Sequence, residues 1–432
     1  MLLTLYYFNL TFIFVKISQI KLFSYAIGVL IRKFISFRDK VTISMVATAL
    51  KDRKADIGDA TFGIGEDSAI SLNRCCTLFG ANASGKSNVV KALAFFKWFT
   101  MNSSKDVQAG EEIPVRNYAL SSVSAAEPSL FEIILFADGN TYRYGFEVNT
   151  KEVCREWLYI KSDKKRSKEI ELFYRDGKHF ETHPKFSIGK ELADKNMVRD
   201  NALLLSLAGQ FNDPYAKTVM NWLNGTTIIT ANSETEIWAI ALKAMENPET
   251  RNRMVEFSRY ADLGIEDISL SELGVLTSHA QYDDDGRETA SVTFSMKESE
   301  SEGTVKYFSL AYPILDTLEH GKRLIVDEFG SKLHTLLITR VISLFNTKAG
   351  NPNKAQLMVT LHDTNILNNS LLRRDQIWFT QKNGRGESEL YSLSDYKVRS
   401  DASYEKDYLL GKYGATPIIE DLSKALRYES KL

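Results

Sequence analysis

A chain of 432 residues with 44% apolar and 25% charged side chains can bury a large core and is long enough for two or three domains or subdomains. Its formal net charge of -1 excludes a global basic field, so any contact with nucleic acid has to come from a local patch. Cys75, Cys76 and Cys154 lack metal-ligand spacing, and so few free thiols suit a reducing cytoplasm.

The chain opens with an apolar leader, Met1 to about Ile27. Lys16 and Lys21 interrupt it short of the roughly 20 apolar residues that a membrane span needs, and it lacks a basic start and a small-residue cleavage site. It reads as a weak anchor or as a poorly selected extension, and the interruptions favour the second. No stable span is expected. Residues 1–28 are expected to be dispensable, with Val29 as the first residue if a GTG start is used, because an exposed apolar tail is an aggregation liability.

From Val29 to Val46 the sequence alternates as strands do, and Ser71–Phe79 reads as a strand entering a glycine-rich turn, with a helix over Asn88–Phe99. Ser129–Val148 predicts a hairpin turning at Asp138, Gly139 and Asn140. Strands are also expected at Glu156–Ile160 and Glu169–Phe173. Between Lys190 and about Tyr260 alternation gives way to helical spacing, with Trp222 and Trp238 as core aromatics, so this segment reads as an inserted helical subdomain. Strand patterns return from Ile265 to Met296. Helix and strand then alternate to about Phe379, the order of a parallel α/β sheet. No internal repeat or long heptad run is visible.

Four segments carry chemistry. Gly80, Ala81, Asn82, Ala83, Ser84, Gly85, Lys86 and Ser87 fit G-x-x-x-x-G-K-[ST] between a strand and a helix. The glycines let backbone N–H groups wrap phosphates, Lys86 reaches the β- and γ-phosphates of ATP, and Ser87 holds Mg²⁺; the helix dipole adds to the attraction. Leu324–Glu328 is an apolar strand ending in two carboxylates: Asp327 for Mg²⁺, and Glu328 to orient and polarise the attacking water. Gln356–Asp363 is another strand ending in polar residues, where His362 is placed to sense the γ-phosphate. Finally, Ser301, Glu302, Gly303 and Thr304 precede a helix over Val305–Leu318. These residue types make an anion site at a helix N-terminus, and equally an ordinary helix cap.

Taken along the chain, the glycine loop, a long insertion, Ser301–Thr304 before a helix, the strand ending in Asp327 and Glu328, and then His362 resemble ABC-type ATPases of the RecF, SMC and OLD kind. More narrowly, the chain resembles the AAA/ABC-type ATPases of bacterial abortive-infection and phage-defence loci, such as the AbiL ATPase and its Septu relatives. The residues that carry the likeness are Phe34–Phe37, Phe79–Asn88, Ser301–Thr304, Val326–Glu328, Ser331–His334 and the tail from Asp375–Phe379 through Gly411–Gly414. The resemblance implies an α/β, ABC-type P-loop head with mixed and parallel sheet, an antiparallel β lobe and a helical insertion. With the readings above it gives a leader (1–28) before the resemblance begins, an N-terminal lobe (29–189), the insertion (190–262) and a C-terminal lobe (263–432). It also implies that Asn88 joins the nucleotide site, and that Ser301, Gly303 and Thr304 meet a γ-phosphate held by another protomer, in a homodimer or higher oligomer closed by nucleotide. Ser331–His334 would then be the D-loop. Glu302 departs from the glycine of the transporter signature.

The leading expectation is an ATP-driven switch serving a separate effector, a nuclease or toxin. The rival is a RecF- or SMC-like ATPase acting directly on DNA or RNA, for which the basic run Lys161–Lys168 is the feature to weigh against a solvated hairpin loop. What remains after His362 is too short for a Toprim-like nuclease domain. Asp283, Asp284 and Asp285 read as a charged turn rather than a metal site.

Overall fold

The computed structural model describes residues 26–49, 59–64, 71–164, 166–261, 264–272, 274–399 and 402–417. The leader expected before Val29 lies outside the described residues, except for Ala26–Gly28.

In chain order the strands and helices begin with β1 (Ala26–Arg32) and β2 (Val41–Ser44), then β3 (Thr61–Gly63) and β4 (Ser71–Asn73), β5 (Cys75–Phe79) and helix α1 (Lys86–Asn102). A run of strands follows: β6 (Ser129–Ala137), β7 (Asn140–Val148), β8 (Val153–Ser162), β9 (Ile170–Asp176) and β10 (His179–Thr182). Then come α2 (Ser187–Asp194), α3 (Leu204–Gln210), α4 (Pro214–Asn224), β11 (Thr226–Ile229), α5 (Glu234–Ala244) and α6 (Pro248–Arg259). Three further strands, β12 (Asp267–Ser271), β13 (Gly274–Tyr282) and β14 (Glu288–Ser295), lead into α7 (Met296–Ser299) and α8 (Glu302–His320). The chain finishes with β15 (Arg323–Val326), α9 (Thr335–Asn346), β16 (Gln356–Thr360), β17 (Ile377–Lys382), β18 (Ser388–Ser392) and α10 (Tyr404–Leu409).

Two large sheets organise these elements. The first is antiparallel and seven-stranded, in the order β10-β9-β8-β7-β6-β1-β2. Its β6–β7 hairpin turns at Asp138 and Gly139, both at positive φ, as the turn residues predict. The second is six-stranded, β11-β15-β16-β5-β17-β18, parallel except for β18. All five residues of β5 and all five of β16 are buried, the pattern of parallel strands covered on both faces. Helix α1 fills the space between the sheets: Phe96 stacks on Phe146 at 5.1 Å, and Phe95 packs on Phe131 at 5.1 Å. On its other side the parallel sheet buries Ile314 and Leu318 of α8 with Ile338, Ile342 and Phe345 of α9. The fold is thus α/β, with an antiparallel lobe attached to a P-loop sheet.

Three local expectations need correction. The first strand starts at Ala26, not Val29. The Ala26 N–H donates to Gln356 Oε1 at 2.7 Å, and Ile27 is buried against Phe62, Leu72 and Ile134, so these residues join the fold. The single strand expected over Ser71–Phe79 is two. It breaks at Arg74, whose guanidinium donates to the carbonyls of Asp59 and Asn351, and the halves enter different sheets. The segment 190–262 does hold helices, but its β-branched run Thr226–Ile229 forms β11 and pairs in parallel with β15, at the edge of the nucleotide-site sheet. The aspartate triplet is a turn, as expected: Asp283 Oδ1 accepts from the N–H groups of Asp285 and Arg287. The basic run begins at Lys161 in β8 and continues through Lys164, Arg166 and Lys168 in the β8–β9 connection, Lys165 falling outside the described residues. Among the described residues no helix is long and apolar enough to cross a membrane.

Candidate functional site

The ends of β5, β15 and β16 meet at one edge of the parallel sheet. The loop after β5 runs from Gly80 to Gly85, and its glycines are dictated by space and by φ. Gly80 sits at φ +152°, where a Cβ would lie 2.3 Å from the Thr380 carbonyl oxygen. Gly85, at φ +121°, caps α1 and would place a Cβ 2.6 Å from Ser388 Oγ. The loop is buttressed from the antiparallel lobe and from β17–β18. Ser84 Oγ pairs with Thr380 Oγ1 at 2.6 Å, Ser388 Oγ donates to the Ser84 carbonyl at 2.7 Å, and Ser36 Oγ lies 2.8 Å from Ser388 Oγ while accepting from Asn88 Nδ2 at 2.7 Å.

Lys86, the first residue of α1, folds back over this loop: Nζ donates to the carbonyls of Gly80 at 2.7 Å and Ala81 at 3.0 Å. Burial pushes its ammonium down to about 8, against the opposing pull of Asp327 and Glu328. Ser87 Oγ donates to Asp327 Oδ1 at 3.1 Å. That carboxylate is 3% exposed, and it receives a second donor, Thr360 Oγ1, at 2.6 Å. The same hydroxyl accepts from the Glu328 N–H at 2.7 Å, so one side chain of β16 ties both acidic residues after β15. Glu328 takes φ +49°, a left-handed conformation uncommon for a side chain of this kind. Its carbonyl accepts from Lys306 Nζ of α8 at 2.9 Å.

His362 follows β16 and is exposed. Partial burial and repulsion from Lys86 lower its imidazole pKa, while Glu328 and Asp327 pull the other way, so all four groups lie within electrostatic reach of one another. Ser301 is the N-cap of α8: its hydroxyl accepts from the Thr304 N–H at 3.1 Å and pairs with Thr304 Oγ1 at 2.9 Å. Gly303 faces the 331–334 loop so closely that a Cβ would lie 2.5 Å from the Lys332 carbonyl oxygen. His334 caps α9 by accepting from the Leu336 N–H. Among the described residues no hydrogen bond joins Ser301 to the Gly80–Ser87 loop.

The structure therefore gathers Gly80–Asn88, Asp327, Glu328 and His362 at one edge, and places Ser301–Thr304 beside the 331–334 loop. Residues that the sequence reading did not single out are Thr360, Lys306, Ser36, Thr380 and Ser388. Two oxygen donors 3.1 Å apart, a hydroxyl and a buried carboxylate, match what Mg²⁺ takes from protein in phosphate sites.

A glycine loop between a buried parallel strand and a helix, followed across the sheet by paired carboxylates, defines a P-loop nucleotide site. Residues 76–368, well over half the chain, match the family described as "AAA domain, putative AbiEii toxin, Type IV TA system". The chain belongs to that AAA family. It is also similar to the SMC head domain from Thermotoga maritima, at 14% identity over 86% of this chain and 99% of that one, with a TM-score of 0.39. The recombination mediator protein RecF of the RecFOR pathway is similar in its ATP form (13% identity, 85% of this chain, 97% of that one, TM-score 0.31) and in its ATPrS form (11%, 85%, 98%, 0.27). Comparison with curated proteins gives no significant match.

Proposed function

We propose that the chain binds and hydrolyses ATP with Mg²⁺, and that it works as a dimeric, nucleotide-driven switch in a bacterial anti-phage or abortive-infection system. The observation that carries the catalytic part is the hydrogen-bonded chain Ser87–Asp327–Thr360–Glu328. In this reading Gly80–Asn88 cradle the phosphates and Lys86 leaves its two carbonyl partners for the β/γ-phosphates. Ser87 and Asp327 would hold Mg²⁺, which neutralises charge developing on the phosphoryl oxygens. Glu328 accepts a proton from the attacking water, and His362 faces the γ-phosphate from the next strand.

The dimer rests on Ser301, Gly303 and Thr304. Their helix N-terminus is an anion site in the making, yet it packs on the 331–334 loop rather than on the chain's own P-loop, which suits a nucleotide held by a second protomer. The defence role is supported by the toxin–antitoxin wording of the family description, and a separate nuclease or toxin is the expected partner. The test is ATP-dependent association of Glu328→Gln protein, followed by light scattering, with and without Ser301→Arg. Dimer formation lost in the double variant, with ATP still bound, supports the sandwich. Association insensitive to Ser301→Arg contradicts it. Turnover stimulated severalfold by DNA would transfer the biological role to nucleic-acid work.

A further inference from the structure

Helix α8 carries Ser301 at its N-cap and, on its second turn, Lys306. The Lys306 ammonium reaches across to the turn after β15. It donates to the backbone carbonyl of Glu328 at 2.9 Å and to Ser331 Oγ. The Glu328 carbonyl also accepts from the Ser331 N–H at 3.0 Å, and the Glu328 N–H is held by Thr360 at 2.7 Å. A residue at φ +49° stays there only when its surroundings over-determine it. Here the peptide groups on both sides of Glu328 are pinned, one from β16 and one from α8. Nearer the N-terminus of the same helix, Gly303 sits against the Lys332 carbonyl with no room for a side chain. The end of α8 that bears Ser301, the 331–334 loop and the backbone of Glu328 are therefore joined at two points.

We propose that Lys306 is a positioning residue: it links the Ser301 end of α8 to the turn that aims the Glu328 carboxylate, so that what engages Ser301 is felt at the hydrolytic residue of the same chain. This rests on the reading of Glu328 as the group that activates water. Lys306 itself touches neither reacting atom; it works through the peptide group it holds.

The experiment measures kcat, KM, equilibrium binding of ATP with Mg²⁺ and thermal melting for Lys306→Met, Lys306→Arg and Ser331→Ala. Lys306→Met keeps the stem and removes the donor. It should lower kcat by about tenfold to a hundredfold, the range lost when a catalytic group is misplaced by an ångström or so, while ATP affinity stays within about threefold. Lys306→Arg restores donors to both acceptors and should recover part of the loss. Ser331→Ala removes one acceptor at little risk to folding and should give a smaller drop of the same kind. Added to Glu328→Gln, Lys306→Met should cause no further loss. Four results overturn the proposal: an unchanged kcat in Lys306→Met, an equal fall in ATP affinity, an arginine variant no more active than the methionine one, or a full additional loss in the Glu328→Gln background. Failure of the Glu328 reading shows up separately, as full turnover by Glu328→Gln alone.

Discussion

Replacing Thr360 by valine removes one hydroxyl and nearly preserves volume in a side chain that is fully buried. The hydroxyl has two partners. The Glu328 N–H loses its acceptor at 2.7 Å, and an unpaired buried donor costs about 1–3 kcal/mol. Asp327 Oδ1 loses a donor at 2.6 Å, a bond to a charged group worth about 1.5–3 kcal/mol, but keeps Ser87 at 3.1 Å. Glu328 is only half-buried, so water recovers part of the first loss. The net expectation is about 2–4 kcal/mol of unfolding free energy, seen as a melting point lower by a few degrees in so long a chain. The same change frees the carboxylate pair, so turnover should fall more than ATP affinity does. Calorimetric melts without nucleotide, alongside steady-state hydrolysis, measure both. A Thr360→Val protein that melts with the wild type and turns over at its rate would refute the hydrogen-bond chain as a working part of the site.

Two further outcomes follow from buried charge. Lys86 has its pKa pushed down to about 8 by burial, below that of an unfolded lysine. Affinity for ATP, which needs the ammonium, should be full below pH 8 and weaken as the pH rises above it, whereas the nucleotide-free protein should gain stability from this group between pH 8 and the ordinary lysine pKa; binding titrations and melts from pH 6.5 to 9.5 check both signs. In the antiparallel lobe, Glu156 is fully buried. It accepts from the N–H groups of Leu204 and Leu205 at the start of α3 and from Tyr144 Oη, and it faces buried Arg175 at 3.9 Å. Glu156→Ala takes the acceptor from the Leu204 and Leu205 N–H groups and from Tyr144 Oη, and removes the carboxylate facing Arg175, whose guanidinium keeps the carbonyls of Gly177, Arg199, Asp200 and Ala202; it should destabilise the lobe by about 3–5 kcal/mol, measured by urea unfolding, while Mg²⁺-ATP binding to the folded protein is retained.

The P-loop, the β6–β7 hairpin and the carboxylates after β15 were legible in the sequence because their cues are local: glycine spacing, an Asp-Gly-Asn turn, an apolar run that ends in Asp-Glu. The helix cap at Ser301 was legible too, though not whether it serves the helix, a ligand or both, since one hydroxyl does either. What escaped were bonds between distant segments. Thr360 lies on the strand after the carboxylates it ties, Lys306 on the helix before them, and Ser36 and Ser388 reach the loop from opposite ends of the chain. A serine, threonine or lysine carries no sign of its partner in its neighbours. β11 was hidden for another reason: four residues between two helices are too few to outweigh the helical periodicity around them. The early start of β1 was masked because Ala26 and Ile27 continue the apolar composition of the leader.

Hydrolysis of ATP at this site, with Glu328 activating the water, is the reaction proposed for the chain. It is tested most directly by single-turnover hydrolysis of Mg²⁺-ATP by wild type and Glu328→Gln, with binding measured on the same preparations. Equal affinity and a rate lower by about 10² to 10⁴ are expected in the glutamine variant, the usual loss of a general base. Full turnover by Glu328→Gln, or no ATP hydrolysis by the wild type, would contradict the proposed reaction.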